Sequence, residues 1–140
     1  MNKRIQHNPD YTRLILLRHA QTDFNASGKI QGNINAHLNK TGIGQAEKLA
    51  DKLYQFYKIE HIFSSPLERA QDTAAIVARQ YDLDYEVDQD LKEIDFGEIS
   101  NTSYADLEKN APDFYSQLTL IYNTHPEDRV SKPAFPNGES

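Results

Sequence analysis

Apolar and polar positions along the chain predict strands and helices in turn. The apolar run 14–17, Leu-Ile-Leu-Leu, is too short for a helix and too apolar for a half-exposed strand. It therefore predicts a central strand that is covered on both faces. The polar stretch 21–28 that follows is typical of a loop. From Thr41, a candidate N-cap, apolar residues recur at steps of three and four, which predicts an amphipathic helix over about 42–57.

Further along, the same patterns predict two more strands and three more helices. Proline at position 66 ends the second strand, and the third strand leads into an acidic loop at 92–98. Ser103 and Pro112 are typical of helix starts. The strands are expected at 59–64 and 85–91, and the helices at 67–81, 104–110 and 113–122.

Strand and helix alternate three times, which is the pattern of an α/β fold. We expect a three-layer arrangement, a mostly parallel sheet with helices on both faces. In such sheets ligands bind beyond the carboxyl ends of the strands. The segments that end the three predicted strands contain two arginines, one histidine and one glutamate, namely Arg18, Arg69, His19 and Glu93.

These four residues together suit phosphoryl chemistry. Two guanidinium groups match phosphate oxygens bidentately and stay charged at all ordinary pH values. The imidazole of His19 could attack phosphorus and form a phosphohistidine. A carboxyl group beside a bound dianion is disfavoured in its ionised form, so Glu93 could donate a proton to the leaving alcohol. In the second half-reaction Glu93 would accept a proton from water.

Each residue taken alone also has a structural explanation. Arg69, in the first turn of a predicted helix, would then be a solvated surface residue, and Glu93 would belong to an ordinary acidic loop. The chain has 5 histidines, but they lack the spacing of metal ligands on a helix, so we expect no metal.

Composition narrows the range of partners and compartments. With 15 basic against 21 acidic residues the formal charge is −6, which argues against a nucleic-acid surface. The chain has no cysteine, its first ten residues lack the apolar core of a signal peptide, and no apolar run approaches the length of a membrane span. We therefore expect a cytoplasmic protein with no membrane segment.

Several motifs occur in a fixed order along the chain. Leu-Leu-Arg-His-Ala-Gln-Thr at 16–22 is followed by Asn25, then by Gln31-Gly32 and by Leu38 with Thr-Gly-Ile-Gly-Gln-Ala at 41–46. Later motifs lie at 64–74, 91–97 and 137–140. In this order they resemble the histidine phosphatase superfamily, the phosphoglycerate mutase-like proteins.

The resemblance implies a role for each matching residue. By it His19 is the nucleophile, Arg18, Asn25 and Arg69 hold the phosphoryl group, and Glu93 is the general acid and then the base. It implies a metal-independent, cofactor-free phosphomonoester hydrolase that takes a small phosphorylated metabolite or inorganic phosphate. Residues 1–12 would be an N-terminal extension, and 13–140 a histidine phosphatase-like domain that is incomplete at its C-terminus.

The sequence also departs from the family pattern. Ala20 stands where glycine is usual, and Asn35 where aspartate is common, a change expected to loosen the substrate rim. Phosphoglycerate mutases of the family place tyrosine and lysine where this chain has Phe96 and Tyr104, which favours a phosphatase over a mutase. The family's second pocket histidine has no counterpart, so a non-catalytic phosphate- or partner-binding module remains an alternative.

Overall fold

A computed structural model describes residues 12–123. Two compact units divide them: the first contains residues 12–22 and 35–92, and the second contains residues 23–34 and 93–123. The N-terminal residues 1–11 and the Gly-Glu-Ser motif at 138–140 lie outside the described residues. No helix of the described residues is long and apolar enough to cross a membrane.

The predicted helices are confirmed to within about two residues at each end. One additional short helix, α1, lies inside the stretch that was expected to be a loop. In chain order the elements are α1 (Asp23–Ala26), α2 (Lys40–Phe56), β1 (Phe63–Ser64), α3 (Glu68–Tyr81), β2 (Glu86–Val87), α4 (Tyr104–Asn110) and α5 (Pro112–Asn123). Two 3-10 turns follow β2, at Gln89–Leu91 and Gly97–Ile99.

Parallel strand pairing in the first unit agrees with the predicted sheet. β1 and β2 run parallel, with Phe63 opposite Glu86 and Ser64 opposite Val87. The strand predicted at 14–17 is wrong for the described residues, which form neither strand nor helix there. Leu14 and Leu16 are 79% and 83% exposed instead of covered. A strand forms only where a neighbour accepts its main-chain hydrogen bonds, and no described segment pairs with this one.

The core of the first unit lies between α2 and α3. Ala50 and Leu53 of α2 pack with Val77 of α3, and Ile15 and Ile62 cover this cluster. The buried residues of α2 recur at steps of four and three, as the sequence pattern predicted, because such spacing puts them on one face of a helix. This packing fixes α3, which carries Arg69, against α2.

The start of α2 is held by the segment that follows His19. Asn39, and not Thr41 as predicted, is the N-cap: its side-chain oxygen accepts a 2.8 Å hydrogen bond from the Gly42 amide. The main-chain amide of Asn39 donates a 3.0 Å hydrogen bond to the main-chain carbonyl of Gln21. Its side-chain Nδ2 donates a 3.1 Å bond to the side-chain Oε1 of Gln21. Asn39 therefore caps the helix and holds residue 21 at once.

The second unit has a core of its own. Ile30, Phe96, Leu107 and Leu118 are buried together. Gly32, whose φ is +50°, lies against Phe96, and a Cβ there would come within 2.6 Å of the ring. This close packing anchors the chain just after Glu93.

A charged cluster joins the loop before α2 to the start of α3. His37 Nδ1 lies 2.9 Å from a carboxylate oxygen of Asp72, and Nε2 lies 3.4 Å from one of Glu68. The same Asp72 oxygen accepts a 3.1 Å hydrogen bond from the Leu38 amide. The hydrogen bond to Asp72 and the two negative charges raise the pKa of His37 above its usual 6.5. The cluster therefore couples this loop to α3 most strongly when His37 is protonated.

We expect the contribution of His37 to stability to depend on pH. Because its pKa is raised in the folded chain, the contribution is complete below the unfolded pKa near 6.5 and is lost as pH rises through the folded pKa. The variant His37→Ala should lower the thermal midpoint at about pH 5.5 and have much less effect at about pH 8.5. Thermal unfolding followed by circular dichroism measures the midpoint at each pH, and His61→Ala, at an exposed position, is the control. An equal fall in midpoint at both pH values would contradict this role of His37.

We expect Gly42→Ala to destabilise the chain by about 1–3 kcal/mol. A Cβ at Gly42 would come within 2.0 Å of the Gln21 carbonyl oxygen and 2.9 Å of its carbonyl carbon, so main chain would have to move. Gly44→Ala in the same helix is the matched control: nothing lies within 4 Å of its Cβ position. Removing that glycine should stabilise the chain by roughly 0.5–1 kcal/mol. Urea unfolding gives both values, and two equal changes would exclude the contact with Gln21 as the cause.

Candidate active site

The two units divide the predicted site residues between them. Arg18, His19 and Arg69 belong to the first unit, whereas Asn25 and Glu93 belong to the second. The candidate nucleophile and the two candidate phosphate-binding arginines thus lie in the same unit.

The imidazole of His19 is held in one orientation by its neighbour. Its Nδ1 lies 2.7 Å from the carbonyl oxygen of Ala20. A carbonyl only accepts hydrogen bonds, so Nδ1 carries the proton, and in the neutral ring Nε2 keeps its lone pair. The ring is partly buried. In this tautomer Nε2 is the candidate nucleophilic nitrogen.

A buried hydroxyl connects the candidate nucleophile to the candidate phosphate-binding arginine. Thr73 is 5% exposed, and its Oγ1 accepts a 3.1 Å hydrogen bond from the Ala20 amide. The same hydroxyl donates to the Arg69 carbonyl at 2.8 Å. The residue after His19 and the first turn of α3 therefore share one anchor.

Thr73 was not among the predicted site residues. Its role depends on a segment 53 positions earlier in the chain, which no local pattern reveals. One local signal existed, because a threonine four residues after Arg69 in a helix can bond back to the Arg69 carbonyl.

The two arginines differ in their surroundings. Arg69 is the second residue of α3 and is 3% exposed, which excludes the solvated surface position that it would have had as an isolated charge. Arg18 is exposed, next to His19. Arg69 also lies where the helix dipole of α3 is positive, so charge and dipole both favour an anion at this end of the helix.

Asn35 holds the start of α3. Leu67 is the N-cap and has no side-chain capping bond, but the Asn35 side-chain oxygen accepts a 2.9 Å hydrogen bond from the Glu68 amide. At this position the amide oxygen of asparagine does what a carboxylate oxygen would do. Asn35 thus makes a contact beside Arg69, and the looser substrate rim expected from this departure stays a prediction.

In the second unit, Glu93 is exposed at the start of an ordered turn. Its Oε1 accepts a 3.2 Å hydrogen bond from the Ile94 amide, and the Asp95 side chain accepts one from the Gly97 amide at 2.8 Å. Asn25 is exposed in α1, and its carbonyl accepts from the Gly28 amide at 3.3 Å. Both side chains are open to solvent.

Within residues 12–123, no group of three histidine, aspartate or glutamate side chains is arranged to hold a metal ion. The site residues of the first unit supply a nitrogen nucleophile and fixed positive charge. Such a set is suited to displacement at phosphorus, where catalysis consists largely of positioning and charge stabilisation.

Comparison with known proteins gives close relatives. Phosphoglycerate mutase-like protein 4 of Arabidopsis thaliana is 37% identical over 111 residues, which are 79% of this chain and 48% of that protein. The metal-independent phosphoserine phosphatase of the same plant is 33% identical over 115 residues, or 81% of this chain and 48% of its own length. The chain thus spans about half the length of these curated relatives.

Solved structures give the same fold. Mycobacterial glucosyl-3-phosphoglycerate phosphatase, in a structure with VO3, superposes with a TM-score of 0.72 and 31% identity, covering 87% of this chain and 56% of that one. This likeness confirms the expected α/β fold. The family model of the histidine phosphatase superfamily, branch 1, matches residues 14–138. The chain therefore belongs to branch 1 of the histidine phosphatase superfamily.

Proposed function

We propose that this protein is a metal-independent phosphomonoester hydrolase that works through a phosphohistidine on His19. The observation that carries the proposal is the hydrogen-bonded connection from Ala20 through Thr73 to Arg69. It ties the residue after the candidate nucleophile to the main chain of Arg69, whose side chain is buried and permanently charged. A histidine with only a structural role would need neither a connection to Arg69 nor a hydrogen bond that fixes the proton on Nδ1.

The reaction has two displacements. In the first, Nε2 of His19 attacks phosphorus, the bond from phosphorus to the ester oxygen breaks, and Glu93 gives its proton to the leaving alcohol. Arg18, Asn25 and Arg69 hold the phosphoryl oxygens and stabilise their charge. In the second, water attacks the phosphorus of the phosphohistidine, Glu93 takes a proton from that water, and the bond from phosphorus to Nε2 breaks. Inorganic phosphate leaves and His19 is restored.

The proposed substrates are small phosphorylated metabolites. The relatives include a phosphoserine phosphatase and a glucosyl-3-phosphoglycerate phosphatase, both named for small phosphate esters. Phe96 supports a phosphatase over a mutase, because this side chain is 5% exposed in an apolar core and has no hydroxyl to offer a phosphoglycerate. The absence of cysteine is compatible with a reducing cytoplasm as the proposed compartment.

Phosphorylation of His19 is the direct test. Incubation with p-nitrophenyl phosphate should give a phosphoenzyme that is labile in acid and stable in base, detected by mass spectrometry of alkaline-quenched peptides. His19→Ala should remove it, because no other group in the proposal accepts the phosphoryl group. His61→Ala, an exposed histidine of the same unit, should leave it unchanged.

The same experiment separates hydrolysis from simple binding. A folded chain that binds vanadate but forms no phosphohistidine and releases no p-nitrophenol above background would be the non-catalytic phosphate-binding module. A phosphoenzyme that persists in His19→Ala would show that the nucleophile is wrong.

We expect Arg69→Met to weaken vanadate binding roughly 10- to 100-fold, the usual value of hydrogen bonds to a charged group. Methionine keeps an unbranched apolar side chain in the buried position but removes the charge. Arg79→Met, an exposed arginine in the last turn of the same helix, is the matched control and should bind as the unmodified chain does. Isothermal titration calorimetry measures both, and equal affinities of the two variants would contradict the role of Arg69.

A further inference from the structure

The peptide group between residues 20 and 21, the 20–21 peptide group, contacts two side chains of the first unit. Its carbonyl oxygen, on Ala20, lies 2.7 Å from Nδ1 of His19. Its N–H, on Gln21, donates a 3.0 Å hydrogen bond to the side-chain Oε1 of Gln45. One main-chain group therefore stands between the candidate nucleophile and a glutamine of α2 that lies 24 positions beyond Gln21.

The first turns of α2 place Gln45 beside this peptide group. The N-cap Asn39 donates its main-chain amide to the Gln21 carbonyl at 3.0 Å, and a Cβ at Gly42 would come within 2.0 Å of that carbonyl oxygen. The main chain of α2 thus lies directly against Gln21. Residues three apart are neighbours on a helix surface, so Gln45 follows Gly42 on the face that Gln21 contacts.

Planarity transmits the contact with Gln45 to the imidazole. A peptide group is planar, so the direction of its N–H fixes the direction of its C=O. The bond from the Gln21 N–H to Gln45 therefore sets where the Ala20 carbonyl points. The same bond polarises the peptide group, because hydrogen bonds in a chain strengthen one another. The Ala20 carbonyl is then a stronger acceptor for the Nδ1 proton of His19.

The preceding peptide group is held by a different helix. Its N–H, on Ala20, donates to Thr73 of α3, which is buried. Gln45 is exposed, so replacing it removes an acceptor without opening a cavity in the core. The contribution of Gln45 can therefore be measured while the anchor at Thr73 stays in place.

We propose that Gln45 is a positioning residue for His19. Through the 20–21 peptide group it keeps the imidazole in the tautomer that has its proton on Nδ1 and its lone pair on Nε2. Gln45 takes no part in the two displacements themselves. The inference rests on the proposed function for its effect on catalysis, whereas the tautomer is a property of the chain without substrate.

Nitrogen-15 NMR of the histidine side chains tests the proposal without any measurement of activity. The 140-residue chain is studied at about pH 8.5, where an ordinary imidazole is neutral, and His19→Ala assigns the signals. His19 should carry its proton on Nδ1. Gln45→Met keeps an unbranched side chain but removes the acceptor, so the tautomer with the proton on Nε2 should gain roughly 2- to 10-fold, the equivalent of one hydrogen bond.

Two further variants separate the acceptor from the rest of the side chain. Gln45→Glu keeps an oxygen that can accept from the Gln21 N–H, so it should keep the tautomer of the unmodified chain. Gln55→Met, at an exposed position further along α2, is the matched control and should also keep it. Hydrogen exchange of the Gln21 amide should become faster in Gln45→Met alone, and circular dichroism checks that all variants fold.

Hydrolysis of p-nitrophenyl phosphate gives a second readout. In Gln45→Met, kcat should fall at least in proportion to the loss of the tautomer with the proton on Nδ1. KM should stay nearly unchanged, because Arg18 and Arg69, the proposed phosphate-binding arginines, are untouched. Gln45→Glu should retain the kcat of the unmodified chain.

Three results would overturn the proposal. One is a His19 of the unmodified chain that carries its proton on Nε2. Another is a tautomer ratio in Gln45→Met equal to that in Gln55→Met. The third is a Gln45→Glu variant as impaired as Gln45→Met, since the acceptor oxygen would then not be the cause. A tautomer that shifts as expected in a chain that forms no phosphohistidine would support the positioning by Gln45 and refute only the proposed hydrolase.

Discussion

The hydroxyl of Thr73 is the interaction on which the candidate site of the first unit depends. It accepts from the Ala20 amide and donates to the Arg69 carbonyl, so one buried oxygen serves as acceptor and donor at once. Loss of such a group would leave the partly buried Ala20 amide without this partner, which costs more than the loss of a surface hydrogen bond. The segment that carries His19 is thereby held to the helix that carries Arg69.

Around this anchor, hydrogen bonds from neighbouring segments hold the same two pieces of chain. Asn39 holds Gln21 against the start of α2. Asn35 and His37, in the loop before α2, hold that loop against the start of α3. Each of these side chains caps or pairs groups at a helix start, where main-chain amides have no partner within the helix. The end of α3 that carries Arg69 is therefore held by loop residues as much as by the helix itself.

Residues 14–17 show what happens to a strand sequence that has no partner strand among the described residues. Residues 14–17 have the composition of a central strand, yet Leu14 and Leu16 face solvent and the segment pairs with no described strand. Apolar composition supplies the free energy for burial, but strand geometry requires donors and acceptors on adjacent main chain. The strand prediction at 14–17 failed for this reason.

Local pattern by itself determined the helices and the order of the motifs. The helices at 67–81 and 104–110 were predictable because one-sided burial imposes a period of 3.6 residues, and Ser103 caps α4 as its sequence indicated. Tertiary structure alone decided that Asn39 caps α2, that Arg69 is buried, that Thr73 joins it to Ala20, and that 14–17 remains unpaired. The bond from Ala20 to Thr73 and the bonds that hold Asn39 to Gln21 join residues far apart in the chain. Burial of Arg69 and the pairing of 14–17 depend likewise on which distant segments lie beside them, and no window of sequence contains those segments.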